Sequence, residues 1–168
     1  MTNSADPLPT QIAALLPRLR RFARTITYHR EDADDLVQLG VERALGRAGQ
    51  FEAGTRLDSW LFRIIKNAWI DEVRSRIRRE RVFAPEAAGE HVGDGSAEAQ
   101  QQRLAIQKAI SLLSDDHRIV IGLVLVDGLP YQEAADLLDI PVGTLTSRLV
   151  RARAALQNLL SDHARTVS

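Results

Sequence analysis

The chain has 168 residues, 45% of them hydrophobic and only 5% aromatic, and its 22 basic and 22 acidic residues cancel to a formal net charge of zero. That is enough apolar material to bury a core, in one domain or in two small ones. The absence of cysteine excludes disulfides, thiolate catalysis and cysteine-based metal sites.

No apolar run reaches bilayer-spanning length, and the opening MTNSADPLPT lacks the basic-then-apolar layout of a secretion signal. The expectation is a soluble cytoplasmic protein with no membrane insertion. The neutral total hides an uneven distribution. Fifteen basic residues face ten acids between Arg18 and Arg81, four acids and no base fall between Ala84 and Gln102, and six of each follow up to Leu160. A basic body, an acidic connector and a balanced second body suggest two modules that meet something anionic.

In chain order, Leu15, Leu19, Phe22 and Ile26 recur at helical spacing, and so do Val37, Val41, Ala44 and Leu45. Between the two runs, HREDAD offers Asp32 or Asp34 as a cap; between the second and third, FEAGTR offers Gly54 as a stop and Thr55 as a new cap. The third run, Leu57, Leu61, Ile64, Ile65 and Ala68, extends to about Arg81 without proline or glycine. The stretch APEAAGEHVGDGSAEAQQQ nearly lacks large apolar residues and reads as a flexible tether, and both chain ends are expected to fray.

Four shorter helices are expected beyond it, on LAIQKAISLL, on DHRIVIGLVLV, on YQEAADLLD after Pro130, and from about Thr144 onward. The last two are separated by IPVG, and the first of that pair carries small Ala134 and Ala135, which is the pattern of a helix-turn-helix. With no alternating Val, Ile and Thr runs, the fold class is all-α, as two small helical domains joined by a flexible linker.

Two surfaces carry chemistry. On the last helix, Leu145, Leu149, Ala152 and Leu156 form an apolar stripe, and Thr144, Ser147, Arg148 and Arg151 fall on the other side, with Arg153 close by. This is the layout of a recognition helix, whose N-terminus favours a phosphate and whose arginines reach guanine edges or phosphates. On the third helix, Trp60, Arg63, Asn67, Asp71, Arg74 and Arg78 recur at three or four residues, an aromatic among cations and amides suited to stacking and holding a single strand. Trp69 belongs to the core, and Trp60 is open between core and surface.

The acids Glu31, Asp32, Asp34 and Asp35 are explained by helix capping and dipole complementarity, and histidines 29, 91, 117 and 163 have no ligand spacing. No metal, no cofactor and no catalytic residue is assigned. No nucleophile is paired with a base and no glycine-rich phosphate loop is present, so an enzyme is not expected.

Taken in order, DADDLVQ, RLDSWLFRIIKNAWIDEVRSRIRR and LPYQEAADLLDIPVGTLTSRLVRARAAL resemble the bacterial RNA polymerase sigma factors of the extracytoplasmic function group, over roughly residues 12 to 160. The resemblance implies a sigma region 2-like helical bundle at 10–82 and a region 4-like helix-turn-helix domain at 103–161, with 83–102 as the acidic linker. It implies that Thr144, Ser147, Arg148, Arg151 and Arg153 read the −35 element. Trp60, Arg63, Asn67, Arg74 and Arg78 would melt and hold the −10 element. Asp34, Asp35, Leu36 and Gln38 would meet the clamp coiled coil of core RNA polymerase, with region 4 on the flap. Promoter DNA and an anti-sigma factor are the other implied partners, and the free chain is expected to be a monomer.

The chain departs from the family pattern in two places. Leu39, Gly40 and Val41 stand where an acid, a small polar residue and an aromatic are usual, and Thr146 stands where lysine is common. An autonomous DNA-binding regulator using only the C-terminal module, and a decoy that binds an anti-sigma protein without starting transcription, are the competing readings. The departure at Leu39–Val41 is what favours the decoy.

Overall fold

The computed structural model describes residues 6–81 and 95–167, the side chains of 72–74, 76, 77, 81, 166 and 167 excepted. Among the described residues every regular element is helical: α1 (Leu8–Thr27), α2 (Arg30–Gly46), α3 (Leu57–Ala68), α4 (Arg74–Arg81), α5 (Ala97–Ser111), α6 (Asp115–Val120), α7 (Tyr131–Leu138) and α8 (Val142–Val167). A short 3₁₀ turn covers Ala48–Gln50. Two π-helical segments, Trp69–Val73 and Ile121–Val126, join α3 to α4 and continue α6.

The apolar stripes of α1 and α3 are those their periodicity predicts. Leu15, Leu19, Phe22 and Ile26 are buried on α1, and Leu57, Leu61, Ile64, Ile65 and Ala68 on α3, with Trp69 in the same core. Phe22 meets Phe62 edge-on at 5.2 Å between ring centroids, a favoured aromatic geometry.

The stripe of α2 is rotated from the predicted one. Ala33, Leu36, Val37, Gly40 and Ala44 are buried, Val41 is half-buried, and Leu45 is exposed. The cause is Gly40. A Cβ at that position would stand 2.5 Å from Ile65 Cγ1, so α2 and α3 cross at the glycine itself and that side of α2 turns inward. The interior glycine that departs from the family pattern therefore has a packing role.

Several local expectations are corrected. α2 starts at Arg30 with His29 in the cap position and no side-chain cap, and Asp32 lies inside the first turn, where its charge complements the helix dipole. Thr55 does not cap α3, because its hydroxyl donates to the Glu52 carbonyl at 2.7 Å; Arg56 holds the cap position. Gly54, at φ +93°, does make the turn. α5 opens at Ala97, inside the stretch expected as a tether, because Ser96 caps it by accepting from the Ala99 amide and Ala, Glu and Gln are good helix formers. Residues 83–94 of the tether lie outside the described residues, as do Val82 before it and Met1–Ala5 of the N-terminal end. At the other end α8 stays helical through Ser161–Val167 instead of fraying.

The C-terminal helices pack on one another and directly on the N-terminal module, forming one continuous buried cluster from Ile12 to Ala152. Gly122 makes the approach possible. A Cβ there would lie 2.9 Å from Phe22 Cδ2 and 3.4 Å from Thr25 Cγ2 of α1. Gly128, at φ +78°, ends the π segment, and Asp139, at φ 55°, ends α7 in the left-handed conformation before Pro141 and α8.

The Gly40 contact is testable by equilibrium denaturation. Gly40→Ala should cost about 1–3 kcal/mol, the usual range for overpacking. Combining it with Ile65→Ala should give less than the sum of the two single losses, because the clashing atom is gone.

Candidate nucleic-acid interface

The recognition helix is built from the inside out. Leu145, Leu149 and Ala152 are fully or almost fully buried, which anchors α8 against α6 and α7 and turns the opposite side to solvent. There Thr144, Ser147 and Arg151 are exposed and Arg148 is part-exposed. Together with Gly143, Ser114, Asp116 and His117 they line one open cleft of about 490 Å³.

The three residues from α6 and its cap, and Gly143 of α8, were not singled out from sequence as part of this site, although Ser114 is readable as a helix cap and accepts from the His117 amide at 3.3 Å. Arg148 lies 4.0 Å from the Asp116 carboxylate. An exposed pair at that distance contributes little and leaves the guanidinium available. Arg153 is exposed but does not line the cleft. It lies nine residues from Thr144, which puts it across the helix.

The α3 surface is less uniform than its spacing suggests. Trp60 is half-buried, its ring tilted at 44° and 5.2 Å from that of Phe51. Asn67, Asp71 and Arg78 are exposed; the side chain of Arg74 lies outside the described residues. The π segment Trp69–Val73 takes more residues per turn than an α-helix. Positions 74 and 78 are therefore rotated away from the line of Trp60, Arg63 and Asn67.

Arg63 is exposed, and its Nη2 donates to the backbone carbonyl of Asp136 on α7 at 2.8 Å. Lys66, one turn on, is only 9% exposed. Burial holds its ammonium below the usual lysine range, against the attraction of Asp139.

Further ion pairs extend this junction. Arg18 donates Nε and Nη2 to the two Asp127 oxygens at 3.1 and 2.6 Å, and Nη1 to Asp58 at 3.0 Å. Arg56 grips Asp58 with Nε at 3.1 Å and Nη2 at 2.6 Å, and its Nη1 reaches Glu133 at 2.6 Å. The Asp127 side chain is 1% exposed. For Asp58, burial pushes the carboxyl upward, but Arg56, the Ser59 amide and Arg18 outweigh it, and the group sits below the usual carboxylate range.

On α2, Asp34, Asp35 and Gln38 share an exposed face, with Gln38 donating to Glu42 at 3.1 Å. Leu36 is fully buried: it holds that face to the core and offers no surface of its own. Gly40 is buried, and Leu39 and Val41 are half-buried against the core, so the departure from the family pattern falls beside this face.

A helix-turn-helix ending on a basic cleft is the architecture of a DNA-binding protein. Residues 11–79 match sigma-70 region 2, and residues 103–156 match sigma-70 region 4. The chain is 34% identical to the ECF RNA polymerase sigma factor EcfG of Rhodopseudomonas palustris, over 92% of this chain and 86% of that protein. It is 34% identical to SigM of Mycobacterium tuberculosis over 85% and 71% of the two chains. SigW of Bacillus subtilis is 31% identical over 78% and 76%.

Among solved structures, the sigma factor RpoE of Bartonella quintana, crystallised with the anti-sigma factor NepR, is similar at a TM-score of 0.77 and 34% identity, over 91% of this chain and 96% of that one. CnrH in complex with the cytosolic domain of CnrY gives 0.69 and 26%, over 92% and 87%. This chain belongs to the ECF RNA polymerase sigma factors, the sigma-70-related subunits that direct core RNA polymerase to promoters. Among the described residues no helix is long and apolar enough to cross a membrane, and no cluster of His, Asp or Glu is suited to a metal ion.

Asp58 gives the junction a definite pH dependence. Because its folded pKa lies below the unfolded value, the stability it supplies is full above about pH 4 and is lost as pH falls through the folded pKa. Urea titrations at pH 7 and pH 3 should show a steeper acid loss in the wild type than in Asp58→Asn. At pH 7 that variant should be less stable by about 1–3 kcal/mol.

Proposed function

We propose that residues 10–82 form the region 2 module and residues 103–161 the region 4 module of a non-enzymatic, cofactor-free initiation subunit that works in the cytoplasm as a monomer until it meets polymerase. The exposed face of α2, with Asp34, Asp35 and Gln38 on the buried footing of Leu36, docks on the clamp coiled coil, and region 4 docks on the flap. Trp60, Arg63 and Asn67, with Arg74 and Arg78 beyond the π segment, engage the opened −10 element. Extruding a base costs a few kcal/mol, a scale that stacking and phosphate contacts offset.

The observation that carries this reading is the cleft at the start of α8. Thr144, Ser147, Arg148 and Arg151 converge there beside Gly143 and His117. That convergence supports insertion into the major groove of the −35 element, with Arg148 and Arg151 toward bases or phosphates. Arg153, across the helix, serves a phosphate at most. Gly40 has a packing reason against Ile65, which weakens the case for a decoy at that one of the three departing positions. An anti-sigma factor is a fitting regulator, since the similar RpoE and CnrH were each solved in complex with a protein partner, the first named as an anti-sigma factor.

The decisive experiment is the affinity of the purified chain for purified core RNA polymerase without DNA. Saturable binding competed by another sigma factor is expected, and no binding by folded protein would remove the initiation reading. With the holoenzyme, Arg148→Ala should weaken discrimination among −35 duplexes by about 1–3 kcal/mol. An equal loss on every sequence would make Arg148 a phosphate contact instead.

A further inference from the structure

The cleft at the start of α8 has two walls. α8 supplies the basic one, with Arg148 and Arg151, and α6 with its cap supplies the other, with Ser114, Asp116 and His117. A carboxylate on a surface that meets phosphates works against binding, because like charges brought together cost free energy. Asp116 therefore calls for a physical reason.

The first turn of α6 carries two acids in different settings. Asp115 is turned inward, where its part-buried side chain pairs with Arg118. The helix dipole favours an acid in that turn, and Asp115 already meets that demand. Asp116 is turned outward. Its side chain is 69% exposed, and among the described residues the cation within ion-pair reach of it is Arg148, with Nη2 at 4.0 Å.

An arginine closes on a phosphate as readily as on a guanine edge, and every sequence offers the phosphate while only some offer the guanine. A carboxylate beside the guanidinium shifts that balance one way. It repels phosphates near Arg148 and competes with them for one N–H, while the remaining donors stay free for a neutral base edge. The pair is exposed and long, so it is weak enough to yield when a base is reached.

We propose that Asp116 is a specificity-determining residue of the −35 contact: it holds Arg148 off the phosphate backbone, so that the arginine contributes mainly where a guanine edge is offered. Asp116 acts through Arg148 and is in that sense a positioning residue. It lowers affinity for every duplex and widens the difference between them, and that difference is what specificity consists of. This rests on the role given to Arg148 under the proposed function.

The test uses holoenzyme assembled with the full-length chain and a pool of fluorescein-labelled duplexes randomised over the −35 positions, from which the tightest-binding sequence is also isolated. Two quantities are read for each variant: the affinity ratio between the selected duplex and the pool, and the salt dependence of binding to the pool. Asp116→Asn should tighten the pool about two- to fivefold, the range of a weak exposed pair, and the selected duplex less, so the ratio falls. Pool binding should also steepen in log salt by about one, as one more phosphate contact forms. Asp116→Glu, which keeps the charge, should behave as the wild type in both.

In an Arg148→Ala background, adding Asp116→Asn should leave the ratio where that background sets it. Equal tightening of the pool and the selected duplex by Asp116→Asn, or no tightening of either, would make Asp116 an ordinary surface charge and overturn the proposal. A fall in the ratio that persists without Arg148 would overturn it too, since Asp116 would then not act through that arginine. If Arg148→Ala alone changed neither the ratio nor the salt dependence, the −35 reading of Arg148 would fall first, and the proposal with it.

Discussion

The arrangement of the whole chain depends on where one guanidinium lies. Arg18 leaves α1 between Asp58 at the start of α3 and Asp127 at the end of the π segment, and its charge sits 5.6 Å above the Phe62 ring. That ring packs edge-on against Phe22, and Phe22 is the residue Gly122 approaches. The internal core of region 2 and the seam with region 4 are thus the same few side chains. Asp127 is so deeply buried that without Arg18 it would be an uncompensated charge in a poorly solvated site, which costs far more than the net worth of the pair. The docked form therefore requires α1, α3 and the π segment to meet at Arg18 together.

The part of the fold legible in the sequence is the part governed by local periodicity. Leu15 to Ile26, Leu57 to Ala68, and Leu145, Leu149 and Ala152 repeat at helical spacing because each sits on an element with a single buried side, so composition reports geometry directly. The helix-turn-helix was legible for a related reason, since Ala134, Ala135 and the tight Asp139 turn are local requirements of a close crossing. Thr144, Ser147, Arg148 and Arg151, which line the cleft at the start of α8, followed from the same stripe by complement.

What was not legible depends on partners distant in the chain or on the hydrogen-bond register. Nothing near Gly40 in sequence announces Ile65, so the glycine reads as a cost until the crossing is seen. The π segment shifts the register by its hydrogen bonding and leaves no mark in composition, which is why Arg74 and Arg78 read as one face with Trp60. Caps failed where the competing residue was not a usual one, as at His29 and Arg56. The docking of the modules rests on Arg18 finding Asp127 more than a hundred positions away, and among so many charged residues nothing in the sequence marks that pair.

The two surfaces singled out from sequence consequently stand in different settings within one conformation. At the start of α8, Arg148 lies 4.0 Å from the exposed Asp116 carboxylate, a weak pair, and the cleft it shares with Arg151 opens to solvent. On α3, Arg63 gives one hydrogen bond to the Asp136 carbonyl and stays exposed, so it belongs at once to the surface and to the seam with α7. A few cations on either module bind DNA weakly alone, and the gain from tethering requires both faces to be in reach at once. The seam between the modules is made mostly from groups that also fix region 2 itself. Arg18 joins Asp58 to Asp127 and Arg56 joins Asp58 to Glu133, so the carboxylate at the start of α3 orients two of the guanidinium groups that region 4 meets.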